Sequence, residues 1–264
     1  MLTDQIRVEE QIDSSYQNDI KVEQINQLTQ EDKNQLNFEE AERLFNKGVA
    51  LRKLNKYQEA IECYDKAISI NPNYNLAWNN KGFTLNNLKK YQEAIECYDK
   101  AISINPNYDL AWNNKGLALN NLKKYQEAIE CYDKAISINP NNDNAWNNKG
   151  FTLNNLKKYQ EAIECYDKAI SINPKYDAAW NNKGFSLHSL KKYLDAITCY
   201  DQALSICINP VRLKNKGISF KFNFYLADSL FELQLKQEAK KFYLDALRQG
   251  SNDKEYINRQ LAKL

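Results

Sequence analysis

The chain predicts an all-α array of stacked helical pairs, on three observations. Turn formers are scarce: 7 Gly and 5 Pro stand among 264 residues, where the two make up roughly 12 % of an average chain. A β-sandwich or α/β fold could not make its turns with so few. The stretch Ala77–Pro106 recurs almost unchanged at Ala111–Pro140 and Ala145–Pro174, and a diverged copy starts at Ala179. Within each copy the apolar residues fall at helical spacing.

Residues 1–38 form a polar segment rich in Gln, Asn and Glu, with Ile12, Tyr16 and Ile20 at helical intervals. It reads as disordered or loosely helical, with docking on the array as the alternative. Five repeats follow over residues 41–210. Trp78, Trp112, Trp146 and Trp180 are 34 residues apart, as are Gly82, Gly116, Gly150 and Gly184. The first copy keeps Gly48, Ala60, Tyr64, Ala67 and Pro72 in register but has Leu44 in the Trp slot, as expected of an end repeat. Trp78, Gly82 and Leu85 form one stripe of a first helix; Tyr91, Ala94, Ile95, Tyr98, Ala101 and Ile102 form a wider stripe of a second. Gly82 and Ala94 are small where the two helices would cross. Asn105-Pro106 ends the second helix, because proline lacks the donor and clashes with the preceding turn. Asn107 and Asp109 are candidate caps for the helix after it. Residues 211–219 read as an insertion. Ala227, Leu230, Ala239, Tyr243 and Ala246 then repeat the intervals of Gly82, Leu85, Ala94, Tyr98 and Ala101, giving a divergent sixth repeat at 220–253. The alternative puts Gly217 in the glycine slot. Residues 254–264 read as a capping helix, with Tyr256, Ile257, Gln260, Leu261 and Leu264 covering the open end.

These residues carry a resemblance. The order Trp/Leu, Gly, Leu, Tyr, Ala, Tyr, Ala, Pro within 34 residues resembles the tetratricopeptide repeat family, over about two-thirds of the chain. The resemblance implies a right-handed superhelical α-solenoid whose first helices line a concave groove, and a role in protein–protein interaction. Lys81, Lys115, Lys149 and Lys183 depart from it, since the family usually has Leu there.

Charge and composition narrow the functions. With 36 Lys+Arg against 34 Asp+Glu, the net +2 gives no global field for nucleic acid or anionic membrane. No segment approaches the roughly 18–20 apolar residues of a membrane span. Met1–Ser15 lacks a signal core, so an intracellular, cytoplasmic setting with reduced cysteines is expected. A single His, no Gly-rich phosphate loop and no metal-ligand spacing argue for no cofactor, no metal and no enzymatic activity. Cys63, Cys97, Cys131, Cys165 and Cys199 recur once per repeat. Equivalent atoms of stacked repeats lie roughly 8–10 Å apart, too far for the about 7 Å Cα spacing of a disulfide, so these thiols read as packing. His188 replaces the Asn of the other copies and reads as a surface substitution. Lys89/Lys90, Lys123/Lys124, Lys157/Lys158 and Lys191/Lys192 form a basic ridge at the turns between paired helices. Glu96→Lys100 pairs are expected to leave the rest of that surface solvated.

Opposite the core stripe, at about 100° per residue, Leu76, Asn79, Asn80, Phe83, Asn86 and Asn87 lie about 80–200° from Trp78. Under the resemblance this face lines the groove. The candidate binding residues are Asn46, Asn79, Asn80, Asn113, Asn114, Asn147, Asn148, Asn181 and Asn182, with Phe83, Leu117, Phe151 and Phe185 as apolar pockets. The row is similar to the asparagine ladder of O-linked N-acetylglucosamine transferase superhelices, where amides hold peptide backbone. A carboxamide both donates and accepts, so each can pair with one peptide unit. The competing reading is a solvated Asn-rich face repeated by duplication. The leading expectation is a non-enzymatic scaffold holding an extended peptide of a protein partner, whose identity is open, as is the oligomeric state. The alternatives are a structural subunit of a large assembly and a co-chaperone clamping an acidic tail. The clamp needs Lys and Asn around the first glycine and Lys and Arg two repeats on. Here Phe45 and Val49 hold the first pair of slots, and Leu110 and Asn114, or Asn144 and Asn148, hold the second.

Overall fold

The computed structural model describes residues 29–207, 225–248 and 254–264, in which every regular element is a helix. The chain divides into two units, 1–90 and 91–264.

The first unit contains α1 (Gln30–Lys53), α2 (Tyr57–Ile70) and α3 (Asn75–Asn87). α1 runs well N-terminal of Ala41, so the end of the polar 1–38 segment is helical; that stretch holds no Gly or Pro to stop it. Residues 1–28 lie outside the described ones. Ala67, Ile68 and Ala77 form a core with Leu44, Phe45, Tyr74 and Trp78 around it.

The second unit stacks α4 (Tyr91–Ile104), α5 (Asp109–Asn121), α6 (Tyr125–Ile138), α7 (Asp143–Asn155), α8 (Tyr159–Ile172), α9 (Asp177–Ser189) and α10 (Tyr193–Cys207). Then come α11 (residues 225–232), α12 (Lys236–Arg248) and α13 (Lys254–Leu261). This is an all-α repeat solenoid: α5, α7 and α9 each pack against their own second helix and against the second helix of the repeat before. The close crossing explains the glycines. A Cβ on Gly116, Gly150 or Gly184 would stand 2.6, 2.7 or 2.5 Å from the ring of Tyr132, Tyr166 or Tyr200. Those tyrosines are buried, so the ring cannot swing away. In the first unit Gly48 meets Tyr64 in the same way, at 2.6 Å.

The turns are built from unexpected residues. Lys89, Lys123, Lys157 and Lys191 take the left-handed conformation, with φ of 60–62°, and Asn55 and Gln234 take it in the end copies. Lys123 N donates to Asn120 O and Lys124 N to Leu119 O, both at 2.9 Å. This is a Schellman ending, where glycine is the usual residue. The first helices start differently from expectation too. Asn107 is not the cap: its backbone N–H donates to the Asn105 side chain at 3.1 Å, as Asn141 does to Asn139 at 3.2 Å. The Asn-Pro turn is thereby closed on itself. It is then latched by tryptophan, because Trp112, Trp146 and Trp180 Nε1 donate to the carbonyls of Pro106, Pro140 and Pro174 at 3.0–3.1 Å.

The lysine before each glycine reaches back to the preceding second helix. Lys115 Nζ meets Asp99 at 2.6 Å, Lys149 meets Asp133 at 2.5 Å and Lys183 meets Asp167 at 2.6 Å. Lysine thus replaces the family's leucine with an ion pair. The second lysine of each turn pairs at i,i+3 with the first turn of the helix that follows: Lys124 with Glu127 at 3.3 Å and Lys158 with Glu161 at 3.2 Å. At the C-terminal end Ala227, Leu230, Ala239, Tyr243, Ala246 and Ile257 share one core. Leu261 and Leu264 pack against it, while Tyr256 stays exposed. Residues 211–219, and the alternative register through Gly217, lie outside the described residues.

Candidate functional site

The asparagine pairs sit in the middle of the first helices, and the structure separates their two members. Asn79, Asn113 and Asn147 are buried, the last two at 6 % and 7 % exposure. Neighbouring first helices cover the strip beside the core stripe, which a wheel drawn for one helix does not reveal. Asn80, Asn114, Asn148 and Asn182 are half-buried at its edge, Asn181 is half-buried and Asn46 is exposed.

In the second unit these amides are bonded in series. Asn182 Nδ2 donates to Asn147 Oδ1 at 3.1 Å, and Asn147 Nδ2 contacts Asn148 Oδ1 at 3.4 Å. Asn148 Nδ2 donates to Asn113 Oδ1 at 3.1 Å, and Asn113 Nδ2 contacts Asn114 Oδ1 at 3.4 Å. Asn182 and Asn148 donate to the repeat before, while Asn147 and Asn113 turn their amides to the next residue of their own helix, so the row is a relay across three repeats. Asn148 retains one N–H and one carbonyl lone pair beyond these bonds. The relay stops where the sixth repeat places Tyr225 in the slot of Asn148 and Asn182. Among the described residues Asn181 Oδ1 is buried with no hydrogen-bond partner. In the first unit Asn80 Nδ2 donates to its own helix, to Leu76 O at 2.9 Å.

Apolar side chains flank the relay. Leu110 is 48 % exposed and Phe151 44 %, while Leu117 is half-buried. Phe185 is also half-buried, edge-on to Tyr225 with centroids 5.2 Å apart and to Tyr159 at 6.5 Å. In the first unit Phe83 carries the Arg52 guanidinium 4.9 Å above its ring.

Sequence reasoning missed a second, deeper column. Asn120 Oδ1 accepts from Thr152 Oγ1 at 3.0 Å and from Asn155 Nδ2 at 3.1 Å. Asn154 Oδ1 accepts from Ser186 Oγ at 2.8 Å, and its Nδ2 donates to Tyr166 OH at 3.0 Å. The third member is His188, whose Nδ1 lies 2.8 Å from Ser229 Oγ. This corrects the expectation of a surface substitution: His188 is half-buried and takes the place of Asn120 and Asn154 between repeats. Burial lowers its pKa, against an opposing pull from Asp228 and Glu232. The recurrence of Thr152, Ser186 and Ser229 opposite Asn120, Asn154 and His188 was the signal available. Beside it, burial raises the Asp228 carboxyl, which accepts from Tyr243 OH at 2.5 Å and from Tyr256 OH at 3.2 Å. That cluster ties α11, α12 and α13 together.

The thiols pack as the spacing predicts. Cys63, Cys131, Cys165 and Cys199 are buried and free, and Cys97 is buried. Burial pushes Cys131, Cys165 and Cys199 up to about 11. Among the described residues no three His, Cys, Asp or Glu side chains converge as metal ligands. No described helix is long and apolar enough to cross a membrane.

The comparisons agree with this architecture. Residues 35–74, 76–108, 110–142 and 144–176 match the tetratricopeptide repeat, and a second form of that repeat matches 165–198. No curated protein matches the chain. Among solved structures, PilF of Pseudomonas aeruginosa is 19 % identical, with 86 % of this chain and 99 % of that one covered, at a TM-score of 0.72. PilW, a type IV pilus biogenesis factor, is 19 % identical over 82 % of this chain and 97 % of its own, at 0.70. YrrB, described as a TPR protein with an unusual peptide-binding site, is 22 % identical over 66 % and 90 %, at 0.50. At these identities the likeness establishes the fold.

Proposed function

Since the chain belongs to the tetratricopeptide repeat family, a family of protein-interaction scaffolds and assembly subunits, we propose that it is a non-catalytic scaffold holding an extended segment of a partner protein across its first helices. The observation that carries this reading is the alternation on that face. Half-buried amides with spare hydrogen-bonding capacity (Asn148 above all) sit beside accessible apolar side chains, Leu110, Leu117 and Phe151. An extended peptide needs both: partners for its backbone N–H and C=O groups and apolar cover for its side chains. The peptide-binding site ascribed to YrrB supports a peptide as the ligand class.

The burial of Asn79, Asn113 and Asn147 refines the candidate set. In this reading Asn114, Asn148 and Asn182 of the second unit touch ligand, with Leu117, Phe151 and Phe185 forming the pockets, and Asn80 and Phe83 are the corresponding residues of the first unit. Asn113 and Asn147 position the ligand-facing amides, and Asn181 marks the C-terminal end of the row; Asn46 and Asn79 belong to the first unit. The lysines of the helical turns, Lys123/Lys124 and Lys157/Lys158, lie apart from these amides in the sequence of each repeat, and Lys124 and Lys158 already pair with Glu127 and Glu161. Panning a random peptide library on the full chain at low and high salt tests the assignment. Apolar peptides whose binding resists salt and falls with Phe151→Ala are expected. Enrichment of acidic peptides that salt releases would move the site to the lysine ridge. Migration of the native protein only as part of a large complex, with no peptide captured, would favour the assembly-subunit role.

A further inference from the structure

We propose that the segment bound on this face adopts the polyproline II conformation, is uncharged, and carries an apolar side chain at every third residue. This rests on the peptide-scaffold reading and names the class of peptide. The first helices α5, α7 and α9 lie side by side, joined by Asn148–Asn113, Thr152–Asn120, Asn182–Asn147 and Ser186–Asn154 hydrogen bonds. Helices in such direct contact have axes about 8–10 Å apart. Leu117, Phe151 and Phe185 hold one slot in three successive first helices, so the pockets recur at about that interval. A ligand crossing the helices must present equivalent side chains with the same period.

Few backbone conformations do so. An α-helical turn advances only about 5.4 Å. A β-strand returns a side chain to the same face every two residues, about 6.6–6.8 Å, and a three-residue step in it points to the opposite face. Polyproline II advances about 3.1 Å per residue with three residues per turn, so the same face returns every 9.3 Å or so. It also makes no internal hydrogen bonds, which leaves its peptide groups available to the one amide per repeat that can reach them. Aromatic walls suit its rings, and Phe185 edge-on to Tyr225 supplies one at the C-terminal end of the row. The lysine of each first helix is committed: Lys115 to Asp99, Lys149 to Asp133 and Lys183 to Asp167. With those cations compensated and the rungs neutral, charge complementarity selects a neutral ligand over an acidic one.

Three capped synthetic peptides titrated into the full chain by calorimetry decide the matter. The first repeats Leu-Pro-Pro, the second has the same composition with leucines at irregular spacing, and the third alternates Leu and Thr. The first is expected to bind about tenfold tighter than the second, the gain from seating one further leucine. Phe151→Ala, at an exposed position that leaves the core intact, is expected to reduce that binding by a similar factor. Equal affinity of the first two, both weakened by Phe151→Ala, would overturn the three-residue register and leave the scaffold site standing. Preference for the alternating peptide would replace polyproline II by a strand. Binding of none, or binding indifferent to Phe151→Ala, would sink the site itself.

Discussion

Replacing Asn148 by alanine tests whether the amide row holds the repeats together. A single-helix view places Asn148 off the core stripe and expects its loss to be harmless. The relay says otherwise. Asn148 donates to Asn113 Oδ1 at 3.1 Å and lies 3.4 Å from Asn147 Nδ2, and both partners are buried. Truncation removes both contacts, each worth a net 0.5–1.5 kcal/mol or so, and strands a buried carbonyl at a further cost of about 1–3 kcal/mol. Water entering the vacated space recovers part of this, so a destabilisation of about 2–3 kcal/mol is expected. At a urea m-value of about 2–3 kcal/mol/M, the unfolding midpoint falls by about 1 M. Asn121→Ala is the control: Asn121 is exposed on the same helix set, and a surface change of this sort stays within about 0.5 kcal/mol. Far-ultraviolet circular dichroism, which reports secondary structure, follows both in parallel. Coincident midpoints for Asn148→Ala and Asn121→Ala would refute the relay as a structural element. A peptide-binding defect in Asn148→Ala would then report ligand contact alone.

Lys123→Gly and Lys157→Gly relieve left-handed residues that cost roughly 1–2 kcal/mol each, offset in part by glycine's freedom in the unfolded chain. Each is expected to raise the thermal midpoint, and a lowered midpoint would refute the strain argument. Gly150→Ala brings a methyl within 2.7 Å of the Tyr166 ring and is expected to cost about 1–3 kcal/mol by urea unfolding, which an unchanged midpoint would contradict. Burial lowers the His188 pKa, so the unfolded chain takes up this proton first. Stability is then complete above the ordinary value of about 6.5 and declines as pH falls from there through the lowered folded pKa. His188→Asn supplies an amide acceptor for Ser229, as in Asn120 and Asn154, and is expected to flatten the urea midpoint between about pH 7 and 5; an unchanged slope would place the proton uptake elsewhere.

What the sequence could disclose follows from which interactions are local. Gly116 and Tyr132 recur at fixed spacing with a helical period, so the helical pairs, their crossing and the buried thiols were legible. Asn107 was read as a candidate cap, but the competition between a helix cap and an Asx turn on Asn105 is decided by backbone geometry. Lys123 in the left-handed region was not legible, because lysine carries no signal for it. Asn147 and Asn148 are identical letters with different fates, since the neighbouring repeat covers one and not the other. His188 looked like a lone departure until its partner, Ser229, was brought beside it from 41 residues away.

The amide relay also bears on how long such a molecule can be. An interior repeat offers an acceptor to the repeat after it and a donor to the repeat before it, as Asn147 accepts from Asn182 and Asn148 donates to Asn113. A further copy of Asp109–Asn142 spliced in after Asn142 carries Asn113 and Asn114 and would meet the same amide relay on both sides. The end that carries Tyr225 lacks this property. The array is therefore a ruler that can be lengthened or shortened from within by whole graduations, each junction contributing a nearest-neighbour stability term. Its reading length would change in step, about one turn of bound peptide for every repeat gained or lost.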